Sequence, residues 1–296
     1  MGTATLSNGL HLEYEVMGPD DGVPLLLVMG LTEQLIAWPD GFCQQLVDHG
    51  FRLIRFDNRD CGLSSKLHGV TVDLGAAMAA NLSGNRDQMP PVPYTLSDMA
   101  ADAVGLLDHL GIDRAHVVGA SMGGMIVQHL AIEHGSRLCS MVSVMSMTGE
   151  AGYGTSTPEA AQVLLSPPPL ERDAYIARSV DARVWQSKRY FDAAEVQAAA
   201  ARSYDRSFYP EGAARQLAAI LASGSRAEGL AKVTTPTLVI HGRDDTLIPP
   251  SGGERTAALV PGASLLMLAD MGHDVPAPLW PIMSAAIAHH ARLAAA

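Results

Sequence analysis

The sequence predicts an α/β fold: a mostly parallel central sheet flanked by helices, with one helical insertion. Three observations lead there. Short continuous apolar runs recur along the chain and end in turn residues. Segments of helical periodicity fill most of the gaps between them, and one long stretch of short Ala-rich helical patterns breaks the alternation. A strand buried on both faces reads as an unbroken apolar run, and strands alternating with helices pair in parallel.

The elements follow in chain order. Apolar and polar residues alternate on either side of Asn8-Gly9, which predicts a β-hairpin closed by a type I′ turn. The run 24–29 ends at Gly30 and is the first expected parallel strand. A second, 51–56, ends at Asp57-Asn58-Arg59-Asp60, and a third, 115–118, ends at Gly119. Runs at 138–144, 236–240 and 264–268 complete the expected sheet. Leu96, Met99, Ala100, Ala103, Val104, Leu107 and Leu110 recur at three- and four-residue steps, with Thr95 placed to cap that helix and Gly111 to end it. The last helix is expected to open near Pro276, because proline is tolerated in a first turn.

Two segments stand outside this pattern. Residues 65–93 carry Gly69, Gly75, Gly84 and the run Pro90-Pro91-Val92-Pro93, and residues 149–229 carry Pro167-Pro168-Pro169. Long segments outside a core are often lids. We therefore expect 149–229 to be a helical cap inserted between core parts 1–148 and 230–296, with 65–93 as a flap beside it.

Composition narrows the partners. Hydrophobic residues make up 48% of 296, enough for one large core, and the charged 17% are dispersed rather than gathered in a tail. A formal net charge of −11 disfavours nucleic acid or anionic membrane, both of which want clustered Lys and Arg. The first residues lack the basic start and apolar run of a secretion signal. Cys43, Cys61 and Cys139 show no C-x-x-C spacing, which fits a reducing compartment. The expectation is a cytoplasmic protein. No paired ligand spacing and no phosphate-binding glycine loop is present, so neither metal nor cofactor is expected.

The chemistry centres on Gly119-Ala120-Ser121-Met122-Gly123-Gly124, a G-x-S-x-G motif with an expected strand before it and a helical segment after it. A serine on so tight a turn is crowded, and small residues at 119 and 123 relieve the crowding. The turn also sets the hydroxyl at a helix N-terminus, where free amides favour developing negative charge. A serine hydroxyl is a weak nucleophile and needs a base oriented by a third group. For such an elbow the acid and then the histidine follow the serine along the chain. His273 lies in the loop between the 264–268 strand and the last helix, at the same sheet edge as Ser121. His241 precedes the acidic candidates, so that order excludes it. The acid follows the 236–240 strand, where Asp244 and Asp245 are adjacent; neighbouring residues beyond a strand point in different directions, so at most one faces His273. The oxyanion donors are expected to be the backbone N–H of Met122, after the nucleophile, and that of Leu31, after the turn at Gly30.

These motifs, with Val28-Met29-Gly30, Trp38-Pro39, the Arg55 to Ser64 stretch, Gly242-Arg243-Asp244-Asp245 and Gly272-His273, resemble the α/β-hydrolase superfamily over nearly the whole chain. Within it the chain is similar to aclacinomycin methylesterase-like esterases. The resemblance implies that Asp245, fourth in Gly242-x-x-Asp245-x-x-x-Pro249, is the acid, and that a helical cap covers the pocket. Two departures stand out: Met29-Gly30 where many relatives have His-Gly, and a longer 65–93 excursion. The expected function is serine hydrolysis of a small-molecule carboxylic ester through an acyl-enzyme. The alternatives are carbon–carbon bond hydrolysis or cofactor-free haloperoxidase or perhydrolase chemistry with the same triad, or a non-catalytic binding protein of this fold. Serine at 121 argues against epoxide hydrolases and haloalkane dehalogenases, which need aspartate there. Val163, Leu164, Leu165, Trp185, Tyr190 and Phe191 predict a mainly apolar pocket that prefers uncharged esters. The charged Asp57 to Ser64 stretch is expected to be a structural turn, and Cys61 within it a packed thiol rather than a nucleophile.

Overall fold

The computed structural model describes residues 1–295. Its strands are β1 (Gly2–Thr5), β2 (His11–Met17), β3 (Val23–Val28), β4 (Phe51–Phe56), β5 (Ala115–Ala120), β6 (Leu138–Val144), β7 (Thr237–Gly242) and β8 (Ser264–Leu268). They form one sheet in the order β1-β2-β4-β3-β5-β6-β7-β8. The hairpin β1–β2 joins β4 antiparallel, and β3 to β8 pair in parallel. The helices are α1 (Asp40–Asp48), α2 (Leu74–Ser83), α3 (Leu96–His109), α4 (Met122–Glu133), α5 (Pro158–Leu165), α6 (Arg172–Arg178), α7 (Ala193–Arg206), α8 (Glu211–Ser223), α9 (Ala227–Leu230), α10 (Ser251–Leu259) and α11 (Trp280–Ala295). Among the described residues no helix is long and apolar enough to cross a membrane.

The apolar runs become strands because both sheet faces are covered. Leu26, Val28 and Val117 join α3 and α4 in one core layer, while Leu25, Leu27 and Val118 meet Phe42, Leu46, Met283 and Ile287 of α1 and α11 in the other. Alternate residues of one strand thus enter opposite cores, so neither face keeps a polar stripe. Helix α3 starts on a reciprocal cap in which Thr95 Oγ1 and the Asp98 carboxylate satisfy each other's backbone N–H groups.

Two local expectations are corrected. The first hairpin is not closed by a type I′ turn, because Asn8 does not adopt the positive φ that such a turn needs at both central residues. Gly9 alone is left-handed (φ 82°); its N–H donates to Leu6 O and the Leu6 N–H donates to Leu10 O, giving a three-residue loop. Asn8 instead donates from Nδ2 to Asp102 Oδ1 at 3.1 Å. The last helix opens at Trp280, not at Pro276, since a separate 3₁₀ turn occupies Ala277–Leu279. Pro281 is the proline in its first turn.

Excursion 65–93 contains α2, which packs against α8, and Arg86 donates to the carbonyls of Leu221 and Ala222 at the end of α8. The Asp57 to Ser64 turn is a hub between core and insertion. Asp57 is fully buried and accepts from Leu35 N (2.7 Å), Leu63 N (2.8 Å) and Arg206 Nη1 (2.8 Å). Arg59 pairs with Asp102 of α3, through Nε at 2.5 Å and Nη2 at 2.6 Å, rather than with Asp57. Asp60 takes Arg215 of α8 at 2.8 and 2.9 Å, with Tyr94 Oη and the Leu67 N–H each at 2.8 Å. Removing one partner of a buried ion pair leaves an uncompensated charge. Arg215→Met is therefore expected to lower unfolding free energy by about 3 kcal/mol, the low end because Tyr94 and Leu67 still donate. A urea melt checks this; an unchanged midpoint would show the pair to be expendable.

Candidate active site

Register places the site. Val28 pairs with Gly119, so the turns leaving β3 and β5 emerge side by side at the C-terminal edge of the sheet. Ser121 sits in the β5–α4 turn at φ 55°, ψ −120°, a region that costs any residue with a Cβ. Surrounding contacts hold it there: Ser121 N–H donates to Val144 O at 2.9 Å, and Ser146 Oγ donates to Ser121 O at 2.8 Å. The glycines are required by space. A Cβ on Gly119 would lie 2.1 Å from Gly123 O, one on Gly123 2.0 Å from Val28 O, and one on Gly124 2.4 Å from Ser146 Cβ.

The structure brings Ser121, His273 and Asp245 together across 152 and 28 positions of chain. His273 Nε2 is 2.9 Å from Ser121 Oγ, and its Nδ1 is 2.7 Å from Asp245 Oδ2. A carboxylate only accepts, so Nδ1 carries the proton and the Nε2 lone pair of the neutral ring faces the serine hydroxyl. The other carboxylate oxygen of Asp245 accepts from Leu247 N–H (2.9 Å) and Ile248 N–H (2.8 Å). At 3% exposure, Asp245 is shielded from water and its orientation is fixed from both sides. Asp244 is partly exposed; its N–H donates to Met271 O, and its side chain has no protein partner among the described residues. Where the sequence left the two aspartates open, only Asp245 meets His273.

The amides of Leu31 and Met122 donate to no protein acceptor among the described residues. Met122 is the first residue of α4, where N–H groups lack intrahelical partners. Gly30 abuts the serine: a Cβ there would lie 3.1 Å from Ser121 Cβ. Asn58 Nδ2 donates to Met29 O at 2.9 Å and pins the start of that turn. Thr32, two residues further on, takes φ 61°, which is strained for a β-branched residue. Its N–H reaches Gln216 Oε1 at 2.8 Å and its carbonyl accepts from Cys61 Sγ at 3.1 Å. Burial, then the nearby Asp57 and Glu33 carboxylates, pushes the Cys61 thiol well up, so it stays protonated.

Sequence reasoning did not find the groups that buttress these loops. His273 N–H donates to Trp185 O at 2.6 Å, and a Cβ on Gly272 would lie 2.3 Å from that same oxygen. Asp274 accepts from Ser187 Oγ (2.6 Å) and Ser187 N–H (3.1 Å), while Thr246 Oγ1 donates to Val184 O at 2.7 Å. Residues 184–187 of the insertion therefore brace both the acid and the histidine loops. His241 lies 3.6 Å from Asp245 Oδ2 although chain order excluded it as the base. Burial lowers its pKa, and Nε2 donates to Ile248 O at 2.8 Å, so it is a neutral neighbour rather than a second imidazolium. Leu164 and Leu165, expected at the pocket, are exposed. Within residues 149–229, Tyr175, Tyr204 and Phe208 pack into an aromatic cluster.

The family model for the alpha/beta hydrolase fold matches residues 23–276. The chain is 28% identical to rhodomycin D methylesterase DnrP of Streptomyces peucetius over 99% of each protein. It is 29% identical to the putative carbamate hydrolase RutD of Variovorax paradoxus, covering 89% of this chain and 90% of that one. Among solved structures, a meta-cleavage product hydrolase from Pseudomonas fluorescens superposes with a TM-score of 0.76 at 19% identity, covering 99% of this chain and 98% of its own.

Proposed function

The chain belongs to the alpha/beta hydrolase fold family, and from its site we propose a serine hydrolase that cleaves small-molecule carboxylic esters through an acyl-enzyme. The observation that carries this is the unbroken hydrogen-bond path from Ser121 Oγ through His273 to Asp245. In this reading Ser121 attacks the ester carbonyl as His273 Nε2 takes its proton. Asp245 holds the ring in the Nδ1–H tautomer and stabilises the imidazolium that forms. The amides of Leu31 and Met122 receive the oxyanion, and His273 returns the proton to the leaving alcohol. Water activated by the same imidazole then releases the acid. Residues 149–229 act as a cap over the site, supported by the bonds from Val184, Trp185, Ser187 and Gln216 to the site loops. The three free cysteines support a cytoplasmic setting.

The near full-length likeness to a methylesterase supports ester over carbon–carbon cleavage. A fluorophosphonate is expected to label Ser121 stoichiometrically, located by mass spectrometry of the labelled peptide. Neutral p-nitrophenyl esters of short to medium acyl length are expected to turn over. Efficient cleavage of a ring-fission diketone, or peracid formation, by an enzyme that ignores those esters would overturn the proposal.

A further inference from the structure

His273 commits both ring nitrogens to Ser121 and Asp245, so the place of its imidazole depends on what holds its main chain. That main chain lies between the core and the insertion. On the core side Asp244 N–H donates to Met271 O at 2.9 Å, and a Cβ on Gly242 would collide with the same oxygen. On the other side residues 185–187 run directly against residues 272–274. His273 N–H donates to Trp185 O at 2.6 Å. A Cβ on Gly272 would collide with Trp185 O, Gln186 C and Ser187 N, so the two backbones touch with no side chain between them.

Ser187 closes this contact. It is fully buried; its Oγ donates to Asp274 Oδ1 at 2.6 Å, and its N–H donates to the same carboxylate at 3.1 Å. Gly272 N–H is shared between Ser187 Oγ and Asp274 Oδ1, each at 3.2 Å. The hydroxyl therefore donates and accepts at once, and losing either partner would leave a buried polar group unpaired. Asp274 Oδ1 accepts from Ser187 Oγ, Ser187 N–H and Gly272 N–H, all neutral donors, whereas Oδ2 only shares the Ser187 N–H. Three residues before Ser187, Val184 O accepts from Thr246 Oγ1 at 2.7 Å. One short segment of the insertion thus fixes the histidine loop and the acid loop relative to each other.

Resting on the ester-hydrolase reading above, we propose that Ser187 and Asp274 are positioning residues for His273. Through them the insertion sets the distance and angle at which Nε2 takes the Ser121 proton and returns it to the leaving alcohol. Proton transfer needs hydrogen-bond reach at both steps, and a displacement of about 1 Å is enough to cost on the order of 100-fold in rate. Asp274 acts here as an acceptor and not as a charge, because an amide oxygen in the place of Oδ1 can receive the same three donors.

The p-nitrophenyl, phenyl and ethyl esters of one acyl group test this through kcat/KM, which reports acylation. p-Nitrophenolate departs unprotonated, whereas ethoxide needs the proton that His273 carries, so a displaced imidazole slows the ethyl ester most. Ser187→Ala and Asp274→Ala are each expected to lower kcat/KM on the order of 100-fold for the ethyl ester and about tenfold for the p-nitrophenyl ester, with the phenyl ester between them. Asp274→Asn keeps the Oδ1 acceptor and is expected to restore the wild-type ratio between the esters. Each ratio is taken within one preparation, so a smaller folded fraction leaves it unchanged. Alanine variants that keep the wild-type ratio overturn this proposal alone. So does an Asp274→Asn variant that loses as much as Asp274→Ala, which would make the charge of Asp274 the group that His273 uses. A wild type that hydrolyses none of the esters overturns the parent reading and this one with it.

Discussion

Ser121→Ala is expected to lower kcat on a neutral activated ester by about six orders of magnitude, the loss seen when a serine hydrolase loses its nucleophile. The size of the effect follows from cooperation. Without Oγ, His273 has no proton to take, and Asp245 orients a base that no longer activates anything. The variant should also fold. Alanine keeps the Cβ, so the strain at φ 55° is unchanged, and the bonds fixing position 121 from Val144 and Ser146 go to its main chain. Single-turnover assays with circular dichroism as the folding control measure both. Residual activity of one per cent or so in a variant free of wild-type enzyme would remove Ser121 from the reaction; that threshold sits far above the loss expected.

Local information explains which parts of this fold were legible. The strands beside Ser121 read directly from the chain because burial on both faces leaves an unbroken apolar run, as in residues 25–28 of β3. The elbow was legible because its glycines answer to steric clashes within a few residues and to the neighbouring strand. The first hairpin turn was misread because Asn8 answers to Asp102, 94 residues away, rather than to a local φ preference. The start of the last helix was misplaced because a proline marks a first turn without saying which turn, and Pro276 and Pro281 compete. Gln34, Ser187 and Asp274 form no local motif. Their meaning comes from contacts between the core and residues 149–229, which no periodicity records.

Asp245→Asn is expected to cost about four orders of magnitude in kcat, whereas Asp244→Asn should cost less than about tenfold. The asparagine at 245 can still accept from the Leu247 and Ile248 N–H groups through its carbonyl oxygen, because those donors hold Oδ1 at 2.9 and 2.8 Å. That choice turns the amide NH₂ toward His273 Nδ1, where a carboxylate oxygen stood at 2.7 Å. An NH₂ only donates, so Nδ1 must become the acceptor and the ring proton moves to Nε2. Nε2–H then points at Ser121 Oγ and cannot take its proton. Folding is largely spared, since shape and two of the hydrogen bonds persist. Asp244 has no comparable role: its backbone N–H bonds Met271 O, which asparagine preserves, and its partly exposed side chain touches no protein donor among the described residues. Both variants are measured on one neutral activated ester beside the wild type, with thermal melts to exclude unfolding. An inactive Asp244→Asn beside an active Asp245→Asn would shift the acid by one residue and leave the Asp245–His273 hydrogen bond without a catalytic purpose.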